Sequence, residues 1–171
     1  IDEGGHIDAN AAKIAESANI DTHRIYIKHD GSLDAGMEIV THPMTLEYHL
    51  NQMPWKAVLS KAISLGYLSH RTSTCGFHVH INRTAFGSNE KVHEECISRV
   101  LFFVERFWQE LLKFSRRTEA QLARWAARYG IKDDSKATLD NAKKQCSGRY
   151  SCVNLTNAKT IEIRIFRGTL K

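Results

Sequence analysis

Residues 74–82 read Thr-Cys-Gly-Phe-His-Val-His-Ile-Asn, and their strict alternation fits an extended strand rather than a helix. Cys75, Phe77, Val79 and Ile81 fall on one face, and Gly76, His78, His80 and Asn82 fall on the other. The first face can sit on a core. The second sets two imidazoles about 6–7 Å apart at their Cα atoms, so that both reach one ion or one polyphosphate. The plain alternative is a half-buried strand with two solvated histidines. Further half-polar strands carrying the opposite charge chemistry favour the first reading.

Those strands flank the chain's two ends. Arg24–Lys28 is β-rich and alternates, His29-Asp30-Gly31-Ser32 supplies a turn, and Gly36–Thr41 returns as a second strand stopped by Pro43. Glu38 lies opposite Met37 and Ile39 on that strand; as a lone feature it is equally an exposed carboxylate. Near the C-terminus, Arg149–Leu155 and Thr160–Phe166 form two strands joined by 156–159. Ile161, Ile163 and Ile165 make an apolar face, with Thr160, Glu162 and Arg164 opposite and Arg167 just beyond.

Between the strands the period changes to that of helices. A short helix over Ala9–Ala18 is expected with Asp8 as N-cap, and a helical turn over Thr45–Asn51. Pro54–Leu65 forms a helix stopped by Gly66. Asn89–Ser115 reads as one long helix capped by Ser88, with Val92, Cys96, Val100, Phe103, Val104, Phe107, Trp108, Leu111 and Phe114 as its buried stripe. Thr118-x-x-Gln121 is a capping box opening a helix that Gly130 ends, and Ser135–Lys144 is a further short helix. No internal repeat or low-complexity stretch interrupts this order.

A length of 171 residues suits a single domain, 1–171, able to bury its own core. The net charge of +5 is spread thinly, which serves attraction to an anionic small molecule. No strand interleaves aromatic and basic residues, so a nucleic-acid partner is not expected. No apolar run is long enough for a membrane span and no signal peptide is visible, so a cytoplasmic protein without a membrane partner is expected. Cys75, Cys96, Cys146 and Cys152 form no C-x-x-C pair and read as reduced thiols. Cys75 faces away from His78 and His80, which argues against a zinc cluster of the three. Walker and G-x-G-x-x-G loops are absent, so any nucleotide is held another way.

If the half-polar strands are neighbours, Glu38, His78 and Glu162 could share divalent ions. Carboxylate with imidazole allows Mg²⁺ or Mn²⁺ where phosphates supply the other oxygens, and also allows zinc. Arginines beside such ligands suit a polyanion gripped by guanidinium forks.

Asp30-Gly31-Ser32-Leu33 with Gly36–Pro43, Cys75–Arg83, Arg149-Tyr150 with Val153-Asn154-Leu155, and Thr160–Arg164 with Phe166–Leu170, taken in order, resemble the amidoligase family. That family is a branch of the glutamine synthetase and glutamate–cysteine ligase superfamily of carboxylate–amine ligases. The resemblance implies an α+β fold: a curved, mainly antiparallel sheet around an ATP site, with helices packed on one face. It also implies the reaction, in which ATP phosphorylates a carboxylate, an amine attacks the acyl phosphate and phosphate leaves.

Carried over residue by residue, the resemblance implies Glu38, His78, Glu162 and Asp30 as ligands of Mg²⁺ (or Mn²⁺). It implies His80, Asn82, Asn154 and Arg167 as nucleotide contacts. Arg164 would stabilise the transferring phosphoryl group, with Arg149 as a second catalytic arginine. The partners implied are a small-molecule or peptide carboxylate and an amine. The family's pattern opens on a Glu-x-Glu strand, whereas only Asp2-Glu3-Gly4-Gly5 stands upstream of residue 24, so an N-terminally incomplete domain is expected. Two alternatives stay open: a noncatalytic binding module on the same scaffold, and a zinc hydrolase using His78 and His80.

Overall fold

Leu33 and Asp34, with the residues on either side of them, close a turn whose two arms run antiparallel, and this hairpin anchors the first of two structural units. The computed structural model describes residues 1–145 and 148–171; Cys146 lies outside the described residues. The units are Ile1–Cys75 with Gly168–Lys171, and Gly76–Arg167. Among the described residues the architecture is α+β, with strands in two antiparallel sheets. No helix among them is long and apolar enough to cross a membrane.

The first unit holds α1 (Asp8–Glu16), β1 (Ile25–Lys28), β2 (Glu38–Thr41), α2 (Leu46–Asn51) and α3 (Trp55–Ser64). β1 and β2 pair antiparallel, with Ile25 opposite Thr41 and Lys28 opposite Glu38. Asn19 fixes the entry to β1: its side-chain oxygen accepts the N–H groups of Arg24 and Ile25, and its amide donates to the Ile25 carbonyl. Thr45 caps α2 by accepting the Tyr48 N–H. Past the end of α3, Gly66 takes φ +88°, a left-handed turn that suits glycine and stops the helix as expected. Val58 and Ala62, one turn apart on α3, are fully buried against Ile14, Ile25 and Tyr67. α1 starts one residue earlier than expected, so Asp8 is its first residue and not its cap.

Asp2 staples this unit together. It is fully buried, and its carboxylate accepts the backbone N–H groups of Glu3, Asp34 and Ala35 and the Thr74 hydroxyl. Burial raises its pKa, but these hydrogen bonds together outweigh burial and leave it below its ordinary value of 3.8. The depressed folded value means that the stabilisation is complete above the unfolded carboxyl's range and is lost as pH falls through the folded one. Asp2→Asn puts an N–H where acceptors are required and is expected to cost about 1.5–3 kcal/mol at neutral pH. Urea unfolding of both proteins at pH 7 and pH 3 checks this: the gap should narrow at pH 3, and an unchanged gap would remove the charge from the account.

The second unit contains β3 (Gly76–Asn82), a 3-10 turn (Arg83–Phe86), α4 (Glu90–Arg106), α5 (Trp108–Ser115), α6 (Glu119–Trp125), α7 (Ser135–Gln145), β4 (Val153–Asn154) and β5 (Thr160–Arg167). β5 is central, in the order β3-β5-β4. The apolar sides of β4 and β5 form one core with α4, α6 and α7 through Val153, Ile161, Ile97, Leu101, Leu122 and Leu139.

Five expectations for this unit need correction. The single long helix breaks at Phe107 (φ −104°, ψ +31°), and its cap is Asn89, whose side chain accepts the Val92 N–H. Val104 and Trp108 of the expected stripe are buried, but Ile97 and Leu101 take the places expected for Cys96 and Val100, and Phe103, Phe107 and Phe114 are exposed. α6 opens on the expected Thr118–Gln121 capping box, but it ends at Trp125, well before Gly130. It ends there because the Ala127 N–H goes to the Tyr150 carbonyl and the Ala127 carbonyl accepts from Cys152. The same diversion shortens the strand expected over Arg149–Leu155 to Val153–Asn154.

Glu105 plays the part in this unit that Asp2 plays in the other. Its buried carboxylate accepts Arg128 Nε at 2.8 Å and the Tyr129 N–H at 2.7 Å, and it is ion-paired with Arg128 Nη2, which donates to the Glu105 carbonyl. The Arg128 guanidinium also lies 5.0 Å from the centre of the Trp108 ring. Cys152 is buried in the same core, and burial pushes its thiol up to about 12, so it is a packing residue and not a nucleophile.

Candidate functional site

Strand phase builds the site. His80 stands opposite Glu162 on β5, and Glu162 stands opposite Asn154 on β4, so the three share one face of the sheet. Between Phe77–Phe166 and Val79–Ile163 the register slips, with two β5 residues opposing the single residue His78. This bulge shifts the alternation of β5 by one position. Phe166 therefore joins the apolar side opposite Phe77, and Arg167 comes opposite Gly76 on the side of the histidines. Simple alternation through Ile161, Ile163 and Ile165 hides that placement.

The polar face is not a solvated one. Glu162 and Arg164 are 5% and 9% exposed, buried although neither is apolar. Glu162 Oε1 accepts Arg164 Nη1 at 2.6 Å and lies 3.2 Å from His78 Nδ1 and 3.6 Å from His80 Nε2. Glu162 Oε2 accepts Asn154 Nδ2 at 2.8 Å. Asn154 Oδ1 in turn accepts the Thr156 N–H and hydroxyl, which fixes the amide's orientation. Burial opposes ionisation of Glu162, but the Asn154 hydrogen bond, Arg164 and the imidazoles outweigh it and hold the carboxyl below its ordinary range.

His78 carries the opposite balance. Burial first, then Arg164, Arg117 and His80, push its imidazole from the ordinary 6.5 down to about 4, against the pull of Glu162. It is therefore neutral at pH 7, and with Nδ1–H directed at Glu162 its Nε2 keeps a lone pair. NMR titration of the His78 ring should show no protonation until pH falls to about 4; a midpoint near 6.5 would mean that the arginines do not act on it. His80 is half exposed, with Nδ1 3.1 Å from Thr160 Oγ1, so it is the imidazole a ligand meets first.

Arg117 belongs to the same face and was not singled out from sequence. It follows the end of α5, where Arg116 takes a left-handed φ of +62° and the Arg116 carbonyl accepts Arg167 Nη1. Arg117 is 8% exposed. A Cβ added to Gly76 would lie 2.6 Å from Arg117 Nη2 and 2.7 Å from His78 Nε2, so both side chains occupy the space that a glycine leaves on the strand. Arg116-Arg117 reads in sequence only as a basic pair. Its place here is set by where α5 ends, which no local pattern encodes.

The other expected site residues are placed as follows. Tyr150 links Arg149 to the site: Arg149 Nη2 is 3.1 Å from the Tyr150 hydroxyl, and the guanidinium of Arg164 lies 5.6 Å from the same ring. The Asn82 side chain accepts the Thr84 N–H and caps the 3-10 turn. Glu38 and Asp30 belong to the other unit. Glu38 pairs with Lys28 across the hairpin at 2.9 Å, and Asp30 accepts the Ser32 N–H and hydroxyl. β1 and β2 form their own sheet rather than extending β3-β5-β4, because Ile25 and Met37 commit the hairpin to the core of the first unit.

Among the described residues no group of three or more His, Cys, Asp or Glu is arranged to hold a metal ion. Glu162 shows the physical reason. Arg164 and His78 already occupy Oε1, and Asn154 occupies Oε2. As arranged, the donor set does not fit Mg²⁺ or zinc.

The site is thus an antiparallel sheet backed by helices, with Arg164 held on the buried carboxylate of Glu162. The family model described as "Putative amidoligase enzyme" matches residues 10–171, and the chain belongs to that family. No curated protein and no solved structure matches it.

Proposed function

We propose that this chain is a domain of an ATP-dependent ligase that joins a small-molecule or peptide carboxylate to an amine. One observation carries the reading: Arg164 is locked onto buried Glu162, beside neutral His78 and exposed His80, in a chain of the amidoligase family. ATP would supply the phosphoryl group that activates the carboxylate. Glu162 holds the Arg164 guanidinium in one orientation, so the fork is set before an anion arrives. His80 adds a donor at the exposed edge of the face. Burial excludes water from the arginine–carboxylate pair and strengthens its field.

Calorimetric titration with a nonhydrolysable ATP analogue tests the reading. Binding that weakens in Arg164→Lys, where the charge stays but the fork is lost, is the expected result. No binding to the wild-type protein would favour a noncatalytic module on the same scaffold.

A further inference from the structure

We propose that Gly76, Arg117 and Arg167 form an oxyanion subsite that works without a metal ion, with His78 and Glu162 as positioning residues. The proposal extends the ligase reading of the same sheet face. It rests on the gap that Gly76 leaves, which has room for a guanidinium and an imidazole nitrogen and none for a side chain. Arg167 stands directly across the ladder from that gap. Arg164 Nε and Arg167 Nε are buried and have no hydrogen-bond partner among the described residues, so these two arginines keep unmet donor capacity.

Charge decides what the subsite takes. Three guanidinium groups, those of Arg117, Arg164 and Arg167, lie on this face with one carboxylate, Glu162. A divalent cation would enter a surplus of positive charge, whereas a phosphate or carboxylate oxyanion would neutralise it. His78 also has a mechanical use: its Nδ1 lies 3.2 Å from Glu162 Oε1, while its Nε2 and Arg117 Nη2 both border the Gly76 gap, so the ring carries the carboxylate's fixed position to the edge of the subsite. Phosphate and carboxylate share the planar two-oxygen edge that a guanidinium recognises.

Gly76→Ala is the most direct test. The glycine lies in a strand without a positive φ, and its added methyl meets only the far ends of two flexible side chains, so the fold is retained. Inorganic phosphate and acetate are titrated separately in EDTA against wild type, Gly76→Ala and Arg117→Lys, with circular dichroism as the folding control. The expected result is saturable, EDTA-resistant binding of at least one probe, weakened at least tenfold in Gly76→Ala and several-fold in Arg117→Lys. Preference for phosphate would assign the subsite to the nucleotide end, and preference for acetate to the substrate carboxylate. Binding that needs Mg²⁺, binding unchanged in Gly76→Ala, or no binding of either probe would overturn the proposal. EDTA-resistant phosphate binding without affinity for the ATP analogue would sink the ligase reading and leave the subsite standing; the reverse pattern would sink the subsite alone.

Discussion

Glu105→Ala is expected to destabilise the Gly76–Arg167 unit by about 3–5 kcal/mol, the usual cost of breaking a buried ion pair from one side. Glu105 is 3% exposed, and its carboxylate accepts Arg128 Nε and the Tyr129 N–H within an ion pair to Arg128. Its loss removes the Glu105 acceptor of the buried Tyr129 N–H and the charge partner of Arg128, which keeps the Trp108 ring and the Glu105 carbonyl. Glu105→Gln keeps one acceptor and should cost less. Tryptophan fluorescence follows the transition directly, because Trp108 lies against Arg128. A loss below about 1 kcal/mol would mean that Glu105 is not the staple of this unit.

Arg164→Ala should reduce nucleotide-dependent turnover by about 10²- to 10³-fold, the range for removing one preorganised donor to a developing oxyanion. The variant also strips Glu162 of its charged partner and can lose stability for that reason, so Arg164→Lys is the sharper instrument. Lysine keeps the charge but not the planar fork, and it should retain the fold while losing most of the activity. An Arg164→Lys protein with wild-type turnover would remove the fork from the mechanism. The readout is the rate of ADP formation with candidate carboxylates and amines, compared at equal folded fraction.

Helices and strands with strong local signals were legible in the chain. The Thr118–Gln121 capping box, the Gly66 stop and the alternation over Gly76–Asn82 each act within a few residues, and each appears as read. What escaped depended on long-range packing. α4 and the start of α5 carry two apolar stripes one residue apart in phase, and only the sheet beneath them decides that Ile97, Leu101, Val104 and Trp108 turn inward while Phe103 and Phe107 do not. Ala127 takes up the Tyr150 carbonyl and the Cys152 N–H, a pairing across more than twenty residues that no alternation marks.

The candidate site divides along the same line. The faces carrying His78, His80, Glu162 and Arg164 were readable from period alone, since a strand fixes which side each residue takes. The β5 bulge that brings Arg167 alongside them is a two-strand property. So is the presence of Arg117, which reaches the site from the end of a helix. The depth of burial was also hidden: a polar face reads as a solvated one until β3 and β4 are seen to flank β5 on both sides.

Arginine side-chain Nε–Hε NMR spectra, recorded before and after addition of a nonhydrolysable ATP analogue, test the central claim most directly. The account predicts that the Arg164 and Arg167 signals move or sharpen as their unmet donors gain an acceptor, with the His80 ring shifting in parallel. Unchanged Arg164 and Arg167 signals under saturating analogue, with shifts confined to residues elsewhere, would contradict the assignment of this sheet face as the anion-binding site.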